Sequence, residues 1–215
     1  MKADIQRILV VAPHTDDAEL GMGATLYTLA HRQNAEIRIM ALSDCVDSIP
    51  KGFPDTVLRD EAMRACVELD IPTPCLTIDS YPVRRFGEHR QDILEKLVRT
   101  KREYDPEVVF APAATDLHQD HAVVRREVDR AFKDRSVFGY ELPWNCKTFS
   151  AVHLTAVSED AVRAKCRAIA CYASQSGRPY SSADFTYALA RVRGLQAGAA
   201  YAEAFDIGGS IWRMD

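Results

Sequence analysis

Near its amino terminus the chain reads Ile8-Leu9-Val10-Val11-Ala12-Pro13-His14-Thr15-Asp16-Asp17-Ala18-Glu19-Leu20-Gly21. The apolar, β-branched run before Pro13 predicts a buried strand, and a helical pattern begins at about Ala18. The turn between them presents one histidine and two carboxylates, those of His14, Asp16 and Asp17. Because open α/β sheets bind ligands at the carboxyl ends of their strands, we expect chemistry at this turn.

The rest of the chain alternates strand and helix patterns. Further apolar runs predict strands at Glu36–Leu42, Pro74–Ile78, Val108–Pro112, Ser136–Tyr140 and Ala151–Val157, with a short strand at the carboxyl end. Helical patterns separate most of these runs, which predicts an α/β fold with a doubly wound, mainly parallel sheet flanked by helices. The first turn lacks the GxGxxG fingerprint and its carboxylates would repel a pyrophosphate, so a nicotinamide cofactor is not expected.

The bulk composition predicts one globular domain over residues 1–215, since 47% of the residues are hydrophobic and 27% are charged. The formal net charge of −4 argues against a general binder of nucleic acid or anionic membranes. Neither a signal-peptide pattern nor an apolar run of membrane-spanning length is recognised, so we expect a cytoplasmic protein with no nucleic-acid or membrane partner. The six cysteines form no CxxC pair, and reduced thiols are expected.

A second polar cluster, Asp116-Leu117-His118-Gln119-Asp120-His121, follows the predicted strand at Val108–Pro112. Two strand ends thus each supply histidine and aspartate. Residues three apart at the start of a helix, such as His118 and His121, can face one point. Imidazole and carboxylate together suit Zn²⁺ or a similar ion, so we predict one metal site shared by both clusters. The alternative is that the acidic residues only cap helices and that the histidines are structural.

The same segments resemble the two signatures of the LmbE-like, or PIG-L, metal-dependent N-deacetylases. Thr15 and Gln119 stand where that family commonly has proline, but both are linker positions. The likeness extends to further segments, Arg59–Ala62, Arg90–Leu94, Tyr172–Gln175 and Tyr201–Phe205, and so covers nearly the whole chain. It implies a Rossmann-like scaffold whose cofactor crevice holds a metal site.

The residue types in these signatures suggest a mechanism. His14, Asp17 and His121 would ligate the metal and leave positions open for water and a carbonyl oxygen. Asp16 would act as the general base on that water, and a protonated His118 would stabilise the oxyanion, oriented and charged by Asp120. Alternatively, Asp120 caps the helix and His118 bonds only to its own loop.

The resemblance assigns Arg59 and the metal, and the position of Asp44 at the end of the second predicted strand adds a further candidate. The resemblance implies a substrate-facing Arg59, for which the alternative is a solvated arginine, and Asp44 is a weaker candidate to bind a sugar hydroxyl. Zn²⁺ is the default cofactor because the family is usually zinc-dependent, although two histidines and a carboxylate also fit Fe²⁺ or another divalent metal.

The resemblance also implies the reaction, which is removal of an acetyl group from an N-acetylglucosamine-type amino sugar or its conjugate. The expected partner is therefore a small N-acetylated sugar, and a homo-oligomer is compatible with the family. Two alternatives stay open. The site could hydrolyse another N-acyl amide, or the protein could be a metal- or sugar-binding module without turnover.

Overall fold

The computed structural model describes residues 6–31 and 35–211, so parts of the predicted 1–215 domain lie outside it. Strands and helices alternate through most of these residues. The strands are β1 (Arg7–Ala12), β2 (Glu36–Ala41), β3 (Leu76–Ile78), β4 (Val108–Pro112), β5 (Ser136–Tyr140), β6 (His153–Val157) and β7 (Tyr201–Gly209). The α-helices are α1 (Asp17–Ala30), α2 (Val57–Glu68), α3 (Arg90–Tyr104), α4 (Gln119–Ala131), α5 (Glu159–Ala170) and α6 (Ala183–Ala197).

The strands form one sheet in the order β3-β2-β1-β4-β5-β7-β6. The first five strands in this order pair in parallel, and β7 pairs antiparallel with both β5 and β6. The predicted α/β, mainly parallel architecture is therefore confirmed. The prediction of a short last strand is wrong: β7 has nine residues because it is inserted between two partners. Its sequence of small and polar residues gives no long apolar run that would reveal this length.

Two apolar cores cover the two faces of the sheet. Alternate residues of β1 serve both, since Ile8 and Val10 pack with α1, α2 and α5, whereas Leu9 and Val11 pack with α3 and α4. Within 6–31 and 35–211, no helix combines the length and the hydrophobicity needed to cross a bilayer.

The sheet changes direction of winding between β1 and β4. These two strands are parallel neighbours, with Ile8 opposite Val108 and Val10 opposite Phe110. Helix α1 leaves β1 toward one face, and α4 leaves β4 toward the other. The turns that follow β1 and β4 therefore meet at one sheet edge, at the switch point where doubly wound folds bind ligands.

Candidate active site

Three donor atoms from the two turns form a nearly equilateral triangle. His14 Nδ1 lies 3.2 Å from Asp17 Oδ2, His121 Nε2 lies 3.2 Å from the same oxygen, and the two nitrogens are 3.2 Å apart. Ligands of a tetrahedral Zn²⁺ at bond lengths of about 2.0–2.1 Å are roughly 3.3–3.4 Å from one another. The three residues thus have the types and the spacing that fit such an ion.

The local fold fixes each of these donors. His14 lies in the turn after β1, and Asp17, the first residue of α1, accepts a 2.9 Å hydrogen bond from the His14 backbone N–H. His121 lies in the first turn of α4. Asp17 and His121 are 5% and 2% exposed, so solvent does not compete strongly for their donor atoms.

His14 and His121 each have a carboxylate on the ring nitrogen that faces away from the triangle. His121 Nδ1 lies 2.8 Å from Asp116 Oδ2, and His14 Nε2 lies 3.1 Å from Asp120 Oδ2. Such carboxylates orient metal-ligating imidazoles and strengthen them as donors. Sequence reasoning assigned no role to Asp116; asking which group could hold the second nitrogen of each ligand would have pointed to it.

The Asp120 carboxylate was expected to contact the His118 ring, and this prediction is wrong. Its oxygens bond to His14 and accept from the backbone N–H groups of Arg84 and Phe86, at 2.6 and 3.3 Å. Asp120 reaches His118 only through its own backbone N–H, which donates to His118 Nδ1 over 3.2 Å. The side chain turns toward the segment around Arg84 because backbone donors are offered there, which sequence spacing does not reveal.

His118 is the N-cap of α4, and its ring accepts that hydrogen bond from Asp120. The accepting Nδ1 carries no proton, so the ring is neutral and Nε2–H is its donor. Burial, together with the nearby His121 and His14, also lowers the pKa of His118. The expectation of a protonated His118 is therefore not met in this arrangement, although the residue lines the cavity beside the donor triangle.

A looser grouping would replace Asp17 with His118 as a ligand. The imidazoles of His14, His118 and His121 each place one nitrogen within 4.8 Å of the others. All three distances in the triangle with Asp17 are 3.2 Å, well inside that 4.8 Å limit. We therefore favour His14, Asp17 and His121 as the ligand set.

The electrostatic field at the triangle favours positive charge. Burial alone would lower the pKa of His14, but Asp17 and Asp120 outweigh it and raise the pKa to about 9. Burial would likewise lower the pKa of His121, but Asp17 and Asp116 raise it to about 10. Burial opposes ionisation of Asp17, yet His121 and His14 hold its pKa well below the usual range. A divalent cation would satisfy the same field.

Asp16 lines the cavity next to the triangle. It is the N-cap residue of α1, but its side chain makes no capping hydrogen bond, so the capping alternative does not explain it. Burial and the neighbouring Asp17 raise the pKa of Asp16, while His14 and Arg178 oppose that rise. A carboxyl with a raised pKa beside a metal site suits proton transfer.

The cavity has a volume of about 200 Å³. Cys45 and Ser48, from the loop between β2 and α2, form part of its wall. Three side chains that no sequence motif indicated, those of Trp144, Arg178 and Tyr180, line another part.

Arg59 donates hydrogen bonds to residues at the ends of β2 and β3. Its Nη2 donates to Asp44 Oδ2 at 2.8 Å and to Ser80 Oγ at 2.9 Å, and its Nη1 donates to the carbonyl of Ile78 at 3.1 Å. The preceding residue, Leu58, lines the cavity. Substrate contact by Arg59 or Asp44 stays a prediction, and the structure shows that the two residues bind each other.

Comparison with known proteins places these residues in a family. A model of the PIG-L family, described as GlcNAc-PI de-N-acetylase, matches residues 9–132, which include both polar clusters. Among solved structures, the conserved protein TT1542 from Thermus thermophilus is 26% identical, with a TM-score of 0.77 over 98% of this chain and 97% of that one.

Two further structures share the fold at lower identity. The N,N'-diacetylchitobiose deacetylase from Pyrococcus horikoshii is 20% identical, with a TM-score of 0.74 over 95% of this chain and 84% of its own. GalB, the 4-carboxy-2-hydroxymuconate hydratase from Pseudomonas putida, is 18% identical, with a TM-score of 0.77 over 98% and 99%. Because one fold occurs in both a deacetylase and a hydratase, function has to be argued from the site.

Proposed function

The chain belongs to the PIG-L family, and from this premise we propose that it is a metal-dependent N-deacetylase of N-acetylglucosamine-type sugars or their conjugates. The observation that supports this most is the 3.2 Å triangle of His14, Asp17 and His121 with Asp16 beside it in one cavity. A cavity of about 200 Å³ suits a small-molecule substrate better than a macromolecule.

His14, Asp17 and His121 would hold Zn²⁺, and the same donor set also accepts Fe²⁺ or another divalent ion. When bound, such an ion supplies Lewis acidity toward an amide carbonyl and lowers the pKa of water to about 7. Asp116 and Asp120 hold the two ligand imidazoles in orientation through their outer nitrogens.

The chain's own groups then move the protons. Asp16 takes a proton from the attacking water as a carbon–oxygen bond forms at the amide carbonyl. His118 donates from Nε2–H to the developing oxyanion, which needs no charge on the ring. When the carbon–nitrogen bond breaks, Asp16 returns its proton to the leaving nitrogen, and the products are acetate and a free amine.

The test is to supply purified, zinc-loaded protein with a panel of N-acetylglucosamine conjugates and to detect the free amine and acetate. We expect turnover of at least one conjugate. Asp16→Asn should abolish it while the protein still binds zinc, and Asp160→Asn, at an exposed position on α5, is the matched control. Zinc-loaded protein that binds these sugars without releasing amine would instead be the binding module, and the proposal would fail.

A further inference from the structure

Part of the cavity lining comes from two segments beyond the matched residues 9–132, one at Trp144 and one at Arg178–Tyr180. The rings of Trp144 and Tyr180 are stacked with centroids 3.8 Å apart and planes 9° from parallel. Arg178 Nη1 donates a 2.5 Å hydrogen bond to the Tyr180 hydroxyl. The Tyr180 ring, itself stacked on Trp144, thus holds a guanidinium in the cavity lining, which reduces the side-chain entropy that ligand binding would cost.

This guanidinium has its charge available for a ligand. Arg59, Arg90 and Arg193 each pair with a carboxylate. Within residues 6–31 and 35–211, by contrast, no salt bridge involves Arg178. Burial alone would lower the pKa of Arg178, but Tyr180, with a smaller contribution from Asp16 and Asp17, raises it. The hydrogen bond to Tyr180 uses one N–H group of the Arg178 guanidinium and leaves its other N–H groups free to bind a ligand.

A second arginine borders the same cavity. Arg84 has a left-handed backbone, with φ at +66°, and its N–H is fixed by the 2.6 Å hydrogen bond to Asp120. Such a conformation is uncommon for a residue with a side chain and is held here by the metal-site carboxylate. Like Arg178, Arg84 forms no salt bridge among the described residues.

We propose that the part of the cavity around Arg178 and Arg84 is a subsite for an anionic oxygen group, a carboxylate or a phosphate. This group would belong to the part of the substrate beyond the acetamido sugar. Arg178 is its main ligand and Arg84 contributes a second positive charge. A guanidinium fork matches the oxygen geometry of both groups. The inference rests on the proposed function, since it assigns the acetamido group to the metal side of the cavity.

A binding experiment tests this without requiring turnover. Zinc-loaded Asp16→Asn protein is titrated calorimetrically with three probes: the methyl and the carboxymethyl glycosides of N-acetylglucosamine, and N-acetylglucosamine 1-phosphate. We expect the better anionic probe to bind about tenfold more tightly than the methyl glycoside. Adding Arg178→Gln should remove most of that preference and change the affinity for the methyl glycoside less than about twofold.

The control is Arg102→Gln, which removes the same charge from an exposed residue in the last turn of α3. That turn precedes the start of β4, at the end of the sheet opposite the cavity. We expect the anionic preference to survive this change. Whether the carboxylate or the phosphate probe binds more tightly identifies the group. In the active enzyme, Arg178→Gln should raise KM for that probe more than it raises KM for the methyl glycoside.

Three results would overturn the inference. If Arg178→Gln weakens all probes equally, the arginine does not recognise the anionic group. If Arg102→Gln removes the preference as well, the effect is general electrostatics. If the preference persists in the Arg84→Gln, Arg178→Gln double variant, the anion is held elsewhere. If no probe is ever deacetylated, the proposed function fails, but the binding preference still decides the subsite.

Discussion

The Nδ1 atom of His14 and the Nε2 atom of His121 lie 3.2 Å apart, although 107 positions of sequence separate the two residues. No local structure accounts for this proximity. It follows from the parallel pairing of β1 with β4, which brings both turns to one edge of the sheet. Asp17 completes the triangle from the first residue of α1.

The first prediction separates the two possible ligand sets. We expect Asp17→Ala to lose tightly bound zinc and His118→Ala to retain it, because Asp17 lies 3.2 Å from both ligand nitrogens whereas the three-histidine group spans up to 4.8 Å. Metal content after dialysis measures this, with His31→Gln on the surface as the control. His118→Ala should still lower kcat by about 10²–10³. The reverse pattern of zinc loss would establish the three-imidazole site.

The second prediction concerns Asp116, whose carboxylate holds the outer nitrogen of His121 at 2.8 Å. Asp116→Asn removes the negative charge but keeps the shape, so zinc affinity should fall by about 10- to 100-fold. Competition with a chromogenic chelator gives the affinity, and Asp160→Asn is the matched control. An unchanged zinc affinity would mean that Asp116 serves only its hydrogen bond with the backbone N–H of His118.

The sequence predicts the site residues that lie in spaced motifs, but it does not predict those whose contacts depend on the folded chain. His14, Asp17 and His121 stand at strand ends in spaced motifs, so their convergence could be predicted from the pattern. Asp116 could have been found only by asking which group holds the outer nitrogen of each histidine. The contact of Asp120 with His14 could not be predicted, because it depends on where the backbone around Arg84 lies. Arg178 belongs to no motif, and only the folded chain brings it to the cavity.

The fold shows the same division. β4 and β5 have the predicted bounds, Val108–Pro112 and Ser136–Tyr140, because buried parallel strands are continuous apolar runs. β7 was predicted too short, since Glu203 and Asp206 within it are buried and paired. Buried charges conceal a strand from any pattern based on hydrophobicity.

The third prediction is a pH dependence at the Asp44–Arg59 pair, whose atoms lie 2.8 Å apart. Burial alone would raise the pKa of Asp44, but hydrogen bonds from Ser80 and Arg59 and the Arg59 charge lower it. The pair should therefore stabilise the fold fully above the unfolded pKa of about 3.9 and lose this contribution as the pH falls through the lower folded value.

Urea unfolding of the wild type and of Asp44→Asn, from about pH 7 to about pH 3.5, measures this contribution. We expect a difference of about 1 kcal/mol at neutral pH, since Arg59 is 35% exposed, and a smaller one in acid. Asp55→Asn, in an exposed loop, should show no such change. A difference that grows in acid would contradict the assigned direction. If Arg59→Gln also raises KM, the residue contacts substrate in addition.

The last prediction concerns Glu203, in the segment Tyr201–Phe205. Lys165 Nζ lies 2.6 Å from Glu203 Oε1, and the two side chains are 7% and 5% exposed. The carboxylate also accepts from the N–H groups of Ala24 and Thr25, at 3.2 and 2.6 Å, just after α1 departs from helical geometry at Met22. Glu203 therefore caps the second part of the helix that begins with Asp17.

Glu203→Ala would leave a buried ammonium unpaired and two backbone donors unsatisfied, so we expect it to lower the free energy of unfolding by about 3–5 kcal/mol. The Lys165→Met, Glu203→Gln double variant removes both charges and should lose less, because no isolated charge stays buried. Urea unfolding of metal-saturated protein measures both. A double variant that loses as much as Glu203→Ala would show that the charge on Glu203 matters for capping α1 rather than for neutralising Lys165.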